Sequence, residues 1–164
     1  MRLIALLATF VGLTTLLLSA GCAGSNGELD DPEAPRVAES DNLRLTIDVS
    51  DRQVAVGDKL TVNLTAENIG SEPVAITARS GAKMIVRIWE KTPAGWTTVK
   101  QYPEAAIMVL TPWALQAGEQ KQFDMELQVD KDWPTAETIR LTAELNGRPE
   151  LRAGAKIDVA PRGG

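Results

Sequence analysis

The chain has 164 residues, 44% hydrophobic and 24% charged, with 17 Lys plus Arg against 22 Asp plus Glu. That length fits one globular domain with an appendage, and the net charge of -5 with a pI near 4.8 excludes a basic nucleic-acid-binding face. With no histidine and one cysteine, a Ser-His-Asp triad, a Cys-His pair, a His-ligated metal site and an intramolecular disulfide are all excluded.

Met1-Arg2 precedes an almost wholly apolar run, Leu3 to Leu18, and then the small residues Ser19, Ala20 and Gly21 before Cys22. A charge, a short apolar run and a small-residue stretch are the three parts of an export signal, and the run is too short for a typical spanning helix. Residues 1–21 are therefore read as a signal peptide. An exposed free thiol is a liability in an oxidising compartment, which singles out the lone cysteine. Leu18-Ser19-Ala20-Gly21-Cys22 resembles the lipobox of bacterial lipoproteins. The resemblance implies cleavage before Cys22, a diacylglyceryl thioether on its sulfur and acylation of the new amine. Several acyl chains hold a protein on a bilayer durably where a single chain holds it only reversibly. Lipoproteins of two-membrane bacteria with Asp after the cysteine are commonly retained at the inner membrane. Ala23 at that place implies the outer membrane, if the organism has two.

Residues 22–41 are expected to be an acylated cysteine and a disordered acidic tether. After Cys22 it reads AGSNGELDDPEAPRVAESD, with six acids against Arg36 alone and no hydrophobic period. Such a coil averages roughly 24 Å end to end before its like charges extend it. From Asn42 the balance is nearly even, sixteen acids against fifteen bases.

The period then becomes two. Leu43 to Val49, Leu60 to Ala66, Phe123 to Val129 and Ile139 to Leu145 each alternate apolar and polar residues, giving every strand a dry face and a wet one. Shorter candidates are Val74 to Ala78, Met84 to Trp89, Trp96 to Tyr102, Ile107 to Leu110 and Leu151 to Val159. Gly, Pro, Asn and Asp clusters punctuate them. Residues 42–160 are expected to form an all-β, immunoglobulin-like antiparallel sandwich of seven to nine strands, with 161–164 a flexible C-terminus.

The stretch Leu60 to Gly81 resembles the opening of the BsuPI-type domain, named for an intracellular proteinase inhibitor of bacilli. The carrying features are a strand ending at Asn68, the turn Ser71-Glu72-Pro73-Val74, a strand ending Ser80-Gly81, the tryptophan-bearing strands around Trp89 and Trp96, and Ala117-Gly118-Glu119 before Phe123. The similarity covers roughly residues 43–146. It implies an immunoglobulin-like fold and, more weakly, protease inhibition.

Two candidate sites follow. If Thr92 to Gly95 form the hairpin loop, Lys91 faces Trp96, and Arg87, Trp89, Lys91 and Trp96 share one outer face. That face is either a contact platform for peptide or sugar or a cross-strand aromatic pair that stiffens the hairpin, with cation–π support. The other candidate is the long connection from Tyr102 to Pro112, bracketed by Pro103 and Pro112, which suits an inhibitory loop. Trp113 and Trp133 are expected in connections, plugging the sandwich ends. Asp130 and Asp132 lack the further oxygens that calcium needs. Neither a catalytic residue nor a metal or other cofactor is expected. The sequence thus points to a non-enzyme: an envelope lipoprotein with a membrane anchor and an envelope protein partner, acting as a binding or scaffold module. The alternatives are a proteinase inhibitor and, through Trp89 and Trp96, a carbohydrate binder.

Overall fold

The computed structural model describes residues 34–135 and 139–161. Cys22, the signal peptide, the tether as far as residue 33 and most of the expected C-terminal tail lie outside them. The described residues form eleven strands and no helix: β1 (Val37–Ser40), β2 (Leu43–Val49), β3 (Gln53–Ala55), β4 (Lys59–Asn68), β5 (Val74–Ala78), β6 (Met84–Thr92), β7 (Gly95–Tyr102), β8 (Thr111–Leu115), β9 (Gln120–Gln128), β10 (Ile139–Leu145) and β11 (Arg152–Ala160).

One sheet runs β1-β2-β4-β9 and the other β3-β11-β10-β6-β7, with β5 and β8 pairing as a separate ribbon. All pairings are antiparallel except β3 with β11. The period of two decides what is buried. Leu43, Leu45 and Ile47 on β2 and Leu60, Val62, Leu64 and Ala66 on β4 face the other sheet's Val86, Ile88, Leu141, Ala143 and Ile157, all essentially dry. At about 1.5–3 kcal/mol for each fully buried large aliphatic, this layer is the main source of stability.

The expected tether ends earlier than residue 41. Val37–Ser40 is a strand, pairing Val37 with Thr46 through Ser40 with Leu43. The two-residue turn between them is Asp41-Asn42, both at positive φ (48° and 65°), a conformation that short polar side chains tolerate and hairpins favour. The acids here are also paired. Arg44 bonds Glu39 at 2.6 Å and Glu67 at 2.9 Å, and Arg36 bonds Asp48 and the Ile47 carbonyl. Residues 34–36 close one lateral seam of the sandwich: Ile47 N donates to Arg36 O and Gly154 N to Pro35 O. A side chain on Gly154 would come within 2.4 Å of the Ala34 carbonyl, so this close approach requires glycine.

Two buried asparagines fix the β5–β8 ribbon to the sandwich. Asn68 donates to the Glu72 and Leu115 carbonyls and accepts from Gly70 N. Asn146 donates to Ser80 Oγ and the Ala82 carbonyl and accepts from Arg79 N. Each amide uses both ends, which is what keeps a buried polar group from costing stability.

Candidate functional site

The hairpin register is the one expected from its turn: Lys91 stands opposite Trp96 and Glu90 opposite Thr97. Arg87, Trp89, Lys91 and Trp96 do share the outer face. The expectation of an exposed platform is corrected, however, because Trp89 is only 3% exposed. β6 is an inner strand, flanked by β10 and β7, so Trp89 lies over its neighbours rather than at a rim. Its indole N–H donates to Thr142 Oγ1 at 2.9 Å, and Thr142 is itself buried. Next along the face, Arg87 Nη1 at 2.6 Å and Arg152 Nε at 2.9 Å both donate to one carboxylate oxygen of Glu144, which is buried. Arg87 also reaches Gln101.

Only the far end of the face is wet. Trp96 is half-buried beneath two cations, Lys91 Nζ 5.6 Å and Arg140 Cζ 6.0 Å from its ring. The ring pairs of the described residues lie elsewhere, Tyr102 with Trp133 and Trp113 with Phe123. The outer face is therefore a second, polar-stitched layer of the fold. Trp89 is unavailable to a sugar, and the two-tryptophan platform does not form.

The connection after β7 is different. Tyr102 and Pro103 are joined by a cis peptide bond, and eight residues separate β7 from β8. The near end is held by packing and charge. Trp133 Nε1 donates to Tyr102 Oη at 2.9 Å, and Lys100 ion-pairs with Asp130 and, at 3.6 Å, with Glu104. Burial pulls the Lys100 ammonium down, but the bond to Asp130 and the charges of Tyr102, Asp130 and Glu104 outweigh it, leaving the pKa raised. For Asp130 burial acts upward, and the Lys100 bond with the backbone donors of Asp132 and Trp133 brings it below the ordinary carboxylate range. Asp130 thus spends its oxygens on Lys100 and the Asp132 amide.

Gly81 N donates to Ile107 O at 3.0 Å, a second tie in mid-loop. At the far end Thr111–Leu115 pairs with β5, and Pro112 is exposed within it. Trp113 is thus on a strand rather than in a connection. It packs edge-on against Phe123, with Lys83 and Lys121 over its ring. Trp133 does lie in a connection and is buried. Between the ties, Ile107 is 82% exposed, Met108 83%, Val109 48% and Leu110 71%. The apolar run of 107–110 reads in sequence as a further strand, and the structure makes it irregular and solvent-facing. Pro103 opens the connection behind its cis bond, whereas Pro112 sits within β8 opposite Thr77.

No family model matches the sequence, and no curated protein is similar to it. Solved structures share the architecture at low identity. The alkylpurine DNA glycosylase AlkC of Pseudomonas fluorescens, bound to DNA containing an abasic site analog, is 15% identical with a TM-score of 0.50 over 73% of this chain and 30% of that one. The sporulation control protein Spo0M of Bacillus subtilis is 13% identical, TM-score 0.49, over 74% and 50%. A β-glucosidase of Erythrobacter marinus is 13% identical, TM-score 0.45, over 75% and 16%. The chain spans half or less of the length of each. At this identity the first likeness speaks to the fold alone.

Proposed function

We propose that this chain is a lipid-anchored, non-catalytic contact module of the bacterial cell envelope, and that it meets a protein partner through the loop 103–110. The observation that carries the contact role is the exposure of Ile107, Met108, Val109 and Leu110 on a loop tied at both ends and in the middle. Contiguous exposed apolar surface of a few hundred Å² marks an interaction site on a soluble domain. A loop already ordered loses less entropy on binding. The anchor rests on the sequence before Cys22. Cleavage there leaves twelve residues before Ala34, a short leash that keeps the domain near the bilayer.

The immunoglobulin-like assignment is supported by strand order. β11-β10-β6-β7 corresponds to the G-F-C-C′ succession of that fold, and β2-β4-β9 to its A-B-E sheet.

Proteinase inhibition is the second reading, favoured by the same held loop. Titration against a panel of bacterial serine proteases separates the two: the contact-module reading expects no inhibition at micromolar concentration. The anchor is tested by the mass of the mature chain, which should begin at Cys22 and carry acyl chains. A thiol there that reacts with maleimide overturns it. The contact role is tested by a photo-reactive benzophenone residue at position 108 in the full chain in cells. Protein adducts are expected, and their absence removes the role.

A further inference from the structure

What covers the loop follows from its composition and from its neighbour. Ala105, Ala106, Ile107, Met108, Val109 and Leu110 are six consecutive exposed apolar residues without charge or proline. Such a hexamer, left bare, is an association hazard. Beside its base the sandwich has an open seam. β9 ends its sheet, with no strand paired beyond it among the described residues. Phe123 and Met125 face inward yet are only partly buried. With Ala82, Lys83, Met84 and Asp124 they line a groove of about 350 Å³. Gly81, whose N–H holds Ile107 O, is the residue before that groove's rim. The opposite seam is the one that residues 34–36 close.

We propose that the occupant is a second copy of this chain: residues 105–110 of one copy lie along β9 and in the groove of the other, and reciprocally. The proposal rests on the contact role given to the loop and names its partner. Because loop and groove adjoin within one copy, a twofold axis brings each loop onto the other's groove at once. The free edge of β9 offers main-chain donors and acceptors to an added segment, and the groove takes alternate side chains. The four large aliphatics expose about three whole side chains' worth of surface per copy. Doubled and matched by the grooves, that reaches on the order of 1,200 Å², the lower end of specific interfaces.

Other occupants fit less well. The chain from Cys22 to Glu33 holds one large apolar residue, Leu29, and cannot fill an apolar groove. Residues 103–110 include Glu104 and no Trp, Tyr, Lys or Arg, the side chains that seat a segment at lipid headgroups.

The test uses two differently tagged full-length copies in one cell, with a benzophenone residue at position 108 or, separately, at 124. Position 108 is expected to link to residues 82–84 or 122–125 of the other copy, and position 124 to residues 105–110. The exposed double variant I107E/M108E should lower the position 124 link by at least about tenfold, since burying two carboxylates opposes docking. Links confined to one copy, or to a different protein, overturn the proposal; the second result leaves the contact role standing. Lipid adducts alone overturn both.

Discussion

Trp89→Ala is expected to cost far more stability than Trp96→Ala, although the two indoles share a face. Trp89 is 3% exposed and its N–H is bonded to Thr142, itself 1% exposed. Truncating a buried Trp typically costs about 3–5 kcal/mol, from lost transfer energy and the cavity left behind. Trp89→Phe keeps most of the ring but strands Thr142 without its donor, for about 1–2 kcal/mol. Trp96 is half-buried and held by two cation–π contacts, worth about 0.5–1 kcal/mol each at exposed sites, so Trp96→Ala should cost near 1 kcal/mol. Urea titration of the three variants reads these directly, provided the m-value is constant. Equal costs for the two alanine variants, both below about 1 kcal/mol, would refute the buried outer layer and return Trp89 to the solvent.

Glu144→Ala should cost about 3 kcal/mol by urea titration, because Arg87 and Arg152 lose their shared carboxylate while remaining largely covered; Arg87→Ala, which leaves the Arg152 bond, should cost clearly less. Gly154→Ala should peel residues 34–40 from the sandwich, because the new methyl meets the Ala34 carbonyl. Hydrogen exchange should then quicken at the Ile47 amide and along β1, and unchanged protection there would contradict the close approach. The Asp130–Lys100 pair stabilises only while both are charged. Asp130 is depressed in the folded chain, so its contribution is present above about pH 3.9 and lost as pH falls through the folded value. Lys100 is raised, so its contribution is present below about pH 10.4 and lost as pH rises through the folded value. The stability difference between wild type and Asp130→Asn should therefore be flat from about pH 5 to 9 and shrink as pH falls below about 3.9. Its size should stay within about 1 kcal/mol, since Asp130 is 37% exposed and screened. A difference that grows in acid would reverse the assignment.

The sandwich was legible because β2, β4, β9 and β10 alternate apolar and polar residues, and Leu45, Leu64, Leu141 and their neighbours land inside. β1 was not, because Val37-Ala38-Glu39-Ser40 is too short and too acidic to show a period. The shared face of Arg87, Trp89, Lys91 and Trp96 could be counted from the turn, since pairing parity is local. Its burial could not, because that depends on Thr142, Glu144 and Arg152, more than fifty residues away on β10 and β11. The loop was recognisable from Pro103 and Pro112. That its aliphatics face water depends on β5 pairing with β8, a non-local choice.

That pairing also explains how so apolar a loop stays out of the core. Collapse of Ile107 to Leu110 into the sandwich would require Thr111–Leu115 to leave β5, and the Asn68 amide holds both the Leu115 carbonyl and the turn that starts β5. Losing those bonds would strand a fully buried amide, at about 1–3 kcal/mol for each unsatisfied group. On the near side Tyr102 would have to give up Trp133, which is buried. Exposure of the four aliphatics is thus fixed by polar groups elsewhere, the Asn68 amide on one side and the Tyr102–Trp133 bond on the other.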